Sequence, residues 1–126
     1  MKLDTTIQEW LEQLGEPVAE TAFPPRDEKG RPTILPSSYI IFLDEIDVDG
    51  CDEFNLYSAH NLTIERYSPK GDNKKLENFL WKSGLHFKRT PKQWLPSEQL
   101  FLTVYDITDT IITMNGVDLN GEYSNS

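Results

Sequence analysis

The stretch Glu16 to Ser38 constrains the fold most. It carries five of the chain's eight prolines. Proline has no N–H to donate and a locked φ, so a segment this rich in it continues neither a helix nor a ladder of backbone bonds. A 23-residue irregular connection is therefore expected there. Connections of that length inside small domains are often functional. Regular structure has to come from the residues on either side.

Before the loop, Ile7, Trp10, Leu11 and Leu14 recur at helical spacing and predict an amphipathic helix over Asp4 to Leu14. Thr5 and Gln8 have the spacing of a capping box, Gly15 can end the helix, and Pro17 bars its return. Trp10 lies on the apolar stripe and is expected in the core.

After the loop, the apolar run Tyr39 to Leu43 predicts a strand, Phe54 to Tyr57 the start of another, and Asn61 to Tyr67 an alternating strand with Leu62 and Ile64 on one face. Asp72 as N-cap, the stripe Leu76, Phe79 and Leu80, and a closing Gly84 predict a second helix. Its stripe is expected to meet Ile41, Leu62, Ile64 and Leu102. Short and long strands are expected at His86 to Thr90 and Leu100 to Ile107, with a turn over Pro91 to Pro96 between them. The fold class expected is α+β: a mostly antiparallel four- to five-stranded sheet packed with two helices, with the long proline-rich loop after the first. One domain over residues 1–109 is expected, followed by a polar tail, 110–126, either disordered or a partner-binding arm.

Net charge is −9, and it is segregated. Eight of the twelve basic residues lie between Arg66 and Lys92, against only Asp72 and Glu77, so this band is +6 in an otherwise acidic chain. The acidic whole argues against a free duplex-DNA binder, which needs a basic footprint. The band reads either as a solvated face or as a surface that meets acids of another copy.

The most acidic stretch is EIDVDGCDE, Glu45 to Glu53. Aligning Gly50 with the glycine of a helix-flanked calcium loop puts Leu56 where the bidentate Glu must stand, and a strand precedes it instead of a helix. A charged turn is expected, not a metal cage. Cys51, His60 and His86 lack zinc-ligand spacing, and the two histidines are expected at the surface or at strand ends. The single cysteine excludes an internal disulfide and fits a reducing cytosol. No apolar run could span a bilayer, and no signal core opens the chain. There is no nucleophile elbow, phosphate loop or dinucleotide glycine pattern, so no catalytic residue, metal or cofactor is expected. Trp81 and Trp94 fall off the predicted apolar stripe and suit partner anchors.

The pattern LPSSYIIFLDE, an acid-rich turn, then LTIERYSPKGDNKKLENFLWKSGLHFKRTPKQWLPSEQLFLTVYDI resembles the small tail completion or tail terminator proteins of long-tailed phages. The elements carrying the likeness are Leu14 to Pro17, Pro36 to Phe42, Glu65 to Tyr67, Leu76 to Leu80, His86 to Lys92 and Leu100 to Asp106. The resemblance covers most of the chain; the proline loop and the residues after Asp109 depart from it. It implies a non-enzymatic virion protein made in the host cytoplasm. It further implies a ring, usually of six copies, at the head–tail interface, with the tail-tube protein and head-completion or connector proteins as partners. DNA would pass through the lumen without specific binding. The expected interface residues are Asp47, Asp49, Asp52, Lys74, Lys75, Trp81, Lys82, Lys88, Arg89 and Trp94. Two alternatives stand beside this: a nucleic-acid-associated module using the band from Arg66 to Lys92, and a small hydrolase built on the acidic turn.

Overall fold

The computed structural model describes residues 1–47 and 57–114, without the side chains of Asp47 and Met114. In chain order the elements are β1 (Lys2–Leu3), α1 (Ile7–Glu12), β2 (Val18–Glu20), β3 (Tyr39–Asp47), β4 (Tyr57–Ser68), α2 (Lys74–Lys82), β5 (Phe87–Arg89), β6 (Gln93–Leu95), β7 (Leu100–Ile107) and β8 (Ile111–Met114). The α+β class holds.

The sheet differs from the expectation. It is mixed and has eight strand segments among the described residues. The path runs β1-β8-β4-β3-β2, and β7 joins β4 on one side and β5 and β6 on the other. The pairings β1–β8 and β2–β3 are parallel. Of the short segments only β5 matches an expected strand, within His86 to Thr90, and β6 stands inside the stretch expected to be a turn, Pro91 to Pro96. Segments of two to four residues, such as β1, β2, β6 and β8, show too little periodicity to be read from sequence.

Val18–Glu20 lies inside the stretch expected to hold no strand. Its parallel register, Val18 opposite Ile40, gives the proline loop a physical reason. Two parallel neighbours cannot be joined by a hairpin, so the chain needs a crossover of a dozen or more residues. The loop is held locally. Asp27 Oδ1 accepts the N–H groups of Lys29 and Arg31, each at 2.9 Å, and Phe23 meets the Tyr39 ring edge-on at 5.5 Å.

The segment expected to begin the polar tail also contributes structure. Ile111–Met114 pairs with the start of β4, from His60 opposite Ile111 to Tyr57 opposite Met114. β7 pairs with the rest of β4, from Thr63 opposite Asp106 onward. Three steps along β4, from 60 to 63, thus face five along the partner, from 111 back to 106. The excess residues bulge between β7 and β8.

Both helices cover one face of the sheet. Ile7, Trp10 and Leu11 from α1 and Leu76 and Leu80 from α2 join Ile40, Phe42, Leu62, Ile64, Tyr105, Ile107 and Ile111 in the core. The expected partners Ile41 and Leu102 are not in it. Side chains alternate along a strand, and Ile40, Phe42, Thr103 and Tyr105 take the inward positions. Uninterrupted apolar runs gave no cue to that parity. Phe79 is only partly buried and leans on Trp10 at 5.0 Å.

The caps shift by one residue. Thr6, not Thr5, caps α1, with its hydroxyl oxygen accepting the Glu9 N–H at 3.1 Å. Asn73, not Asp72, is the N-cap of α2, but its side chain turns inward to donate to Thr103 Oγ1 at 2.9 Å. Asp72 Oδ1 instead accepts the Lys74 N–H at 3.2 Å. Gly84 ends α2 at φ 74°, and Leu85 N–H reaches back to the Leu80 carbonyl.

Candidate functional site

The turn between β4 and α2, Pro69 to Asn73, organises the basic band. Gly71 takes φ 65°, its N–H donates to Ser68 Oγ at 2.9 Å, and a Cβ there would come within 3.3 Å of the Phe101 side chain. Only glycine meets both demands without strain. The tight turn brings Lys70 beside the first residues of α2.

Two adjoining clefts flank the turn. One, of about 360 Å³, is lined by Arg66, Lys70, Lys75 and Asp72 among others. The second, of about 330 Å³, is lined by Lys70, Lys74, Arg89 and Lys92 with Asp72 and Glu77. Lys70 and Asp72 belong to both.

The two arginines are already committed. Arg66 donates through Nε and Nη2 to the Glu16 carboxylate at 2.9 and 2.6 Å, and through Nη1 to Asn73 Oδ1 and the Asp72 carbonyl. Arg89 Nη1 lies 2.8 Å from Glu77 Oε2. That same oxygen accepts the buried Tyr105 hydroxyl. Burial pushes the Glu77 carboxyl up, but the hydrogen bonds from Tyr105 and Arg89 outweigh it and hold the pKa below the usual range. By contrast, Lys70, Lys74, Lys75 and Lys92 form no salt bridge among the described residues.

The remaining expected interface residues are dispersed. Trp81 and Lys82 stand exposed at the other end of α2, with the Trp81 ring 6.5 Å from Phe87. Trp94 on β6 is half exposed and tilts against Phe101 at 4.9 Å. Lys88 faces away from the helices, in register with Asp106. Asp47 ends β3, at the far end of the central hairpin from Lys74 and Lys75. Asp49 and Asp52, and with them the calcium-loop question and Cys51, lie outside the described residues.

Sequence reasoning missed two features. The first is the face of the sheet that no described helix covers. Ile41, Leu102, Val104 and Ile112 are only half-buried there, and Leu43 and Tyr57 are exposed at 41% and 48%. One end is closed by the Tyr39 and Tyr67 rings, stacked at 4.7 Å, while Tyr67 donates to Glu65 at 3.1 Å. Burial is the largest cause raising both phenol pKa values, followed by nearby acids.

The second is a buried polar chain. His60, expected near the surface, is 6% exposed. Its Nδ1 lies 2.8 and 2.9 Å from the two Asp44 oxygens, and its Nε2 lies 2.6 Å from Thr113 Oγ1. A carboxylate only accepts, so Nδ1 carries the proton shared with Asp44. The order carboxylate, imidazole, hydroxyl parallels a nucleophile relay. Here both ring nitrogens are occupied and both paired side chains are more than nine-tenths buried, so the chain ties β3, β4 and β8 together. Residues 44, 60 and 113 are too far apart in sequence to signal this. His86, by contrast, is exposed as expected; its backbone N–H and ring both reach Asp109 Oδ2, lowering that carboxyl's pKa.

No group of His, Cys, Asp and Glu among the described residues could hold a metal ion, and no described helix is long and apolar enough to cross a membrane. Comparison with family models, with curated protein sequences and with solved structures finds no match to this chain.

Proposed function

We propose that the protein is a structural assembly subunit that completes or terminates a phage tail, acting as a ring of like subunits between tail tube and head connector. The observation that carries this reading is the sheet face that no described helix covers, where Leu43, Tyr57 and the half-buried Ile41, Leu102, Val104 and Ile112 lie among Asn61, Thr63, Glu65 and Asp106. Apolar side chains gathered on an exposed face and rimmed by polar ones mark a contact site. The short edge strands β2, β5 and β6 discourage open-ended strand addition, which favours face-on packing.

Charge placement supports the same reading. β4 spans 12 residues, about 36 Å at a strand's rise per residue. Lys74 and Lys75 follow one end; Glu45 and Asp47 lie toward the other, across the hairpin. Opposite charges so far apart cannot neutralise each other within one subunit, but they can orient neighbours in a head-to-tail ring.

The test is co-expression with a phage tail-tube protein, counting by electron microscopy the tubes that end in a ring. Leu43→Lys and Val104→Lys should leave the circular dichroism spectrum intact and reduce ring-capped tubes at least tenfold. Failure of the parent to associate with tubes would refute the reading.

A further inference from the structure

We infer that the twin clefts around the Pro69 to Asn73 turn bind two phosphate groups of one ligand. This stands apart from the tail reading. Four ammonium groups, Lys70, Lys74, Lys75 and Lys92, line the two clefts without a salt bridge among the described residues. They do so on a chain of net charge −9, where carboxylates are abundant.

The choice of phosphate over carboxylate follows from the charge a ligand must bring. A guanidinium fork matches carboxylate and phosphate alike. Both forks at this site are already turned to carboxylates, Arg66 to Glu16 and Arg89 to Glu77. What remains are ammonium groups, which bind phosphate as point charges without demanding a planar partner. Asp72 and Glu77 in the walls also disfavour a weak monoanion, because a ligand must outweigh them.

The shared wall sets the ligand's form. Lys70 lines both clefts, so an anion in one lies next to an anion in the other. Linked phosphates, as in a diphosphate or consecutive groups of a nucleic-acid strand, fill both at once. The glycine at 71 keeps Lys92 and Phe101 close against the turn, which holds the second cleft in shape.

The experiment titrates the full chain, at 50 mM and 200 mM sodium chloride, with inorganic phosphate, pyrophosphate, a 15-mer oligothymidylate and polyglutamate, following backbone amide shifts by NMR. Pyrophosphate or the oligonucleotide should bind at least tenfold more tightly than inorganic phosphate, with shifts concentrated in residues 66–75 and 89–92. Stronger binding of the oligonucleotide identifies a nucleic-acid strand as the source; stronger binding of pyrophosphate identifies a small diphosphate. With two phosphates neutralised, oligonucleotide affinity should fall about sevenfold between the two salt concentrations. Lys70→Gln with Lys74→Gln should weaken binding at least tenfold while the remaining amide spectrum stays in place. Three results would overturn the inference: polyglutamate binding as tightly as the phosphates, shifts scattered over Lys2, Lys29 and Lys82, or a double variant that binds like the parent.

Discussion

At the scale of single residues, two glycines with positive φ separate backbone strain from contact. Gly30 takes φ 77° with open space where a Cβ would stand, whereas Gly71 takes φ 65° with the Lys92 and Phe101 side chains within 3.0 to 3.3 Å of that place. Gly30→Ala should cost about 1 kcal/mol for the left-handed backbone alone. Gly71→Ala should cost more, about 2 kcal/mol, because Phe101 must also give way. Denaturant midpoints of the two variants check the order; equal costs would mean the turn is looser than its contacts imply. The Asp44–His60 pair makes a different demand. Removing Asp44 alone strands a buried imidazole, so Asp44→Ala and His60→Ala should each destabilise, and the double variant should cost less than their sum. A coupling of about 1–3 kcal/mol is expected from the double-mutant cycle. Additive costs would show that the pair holds nothing together. Neither feature was legible in the sequence. A turn glycine is visible there, but not which side chain crowds it, and His60 meets its partners only once three strands are aligned.

At the scale of elements, what could be read was periodicity, and the structure follows it where the periods are long. The stripe Ile7, Trp10, Leu11 and Leu14 is buried, as are Leu76 and Leu80, and Leu62 and Ile64 share the inward face of β4. Parity failed in β3 and β7, where apolar residues occupy both faces and the inward set is Ile40 and Phe42, with Thr103 and Tyr105. The candidate surface divided in the same way. Charge counting located the basic band, but not that four of its lysines converge on one turn while Lys88 and Trp94 stand on separate strands. Helix α2 offers a graded test of packing. Leu80 is fully buried and Phe79 only partly. Leu80→Ala should therefore cost about 3 kcal/mol, and Phe79→Ala should fall below the ~3–5 kcal/mol of a fully buried phenylalanine despite its larger side chain. Thermal midpoints in the reverse order would place α2 differently on the sheet.

At the scale of the whole molecule, three phenols link folding to alkaline pH. Burial comes first among the causes that raise the pKa values of Tyr39, Tyr67 and Tyr105 above the ordinary 10.0. A raised folded-state pKa means that the unfolded chain gives up these protons first. Their contribution to stability is thus complete below pH 10 and is lost as pH climbs past it. Absorbance at 295 nm and far-ultraviolet circular dichroism, followed together, should show these three phenolates appearing only as the sheet melts; ionisation of all five tyrosines with the sheet intact would contradict the burial. The pairing of β1 with β8 has a consequence in time. Lys2 and Leu3 find their ladder partners at Ile112 and Thr113, and the Met1 ammonium donates to the Thr110 carbonyl. On a ribosome adding roughly 5–20 residues per second, Lys2 and Leu3 wait about 5–20 s before their partners are even made. Throughout that interval β1 has nowhere to dock, and the nascent chain must carry an unfinished sheet until β8 has been synthesised.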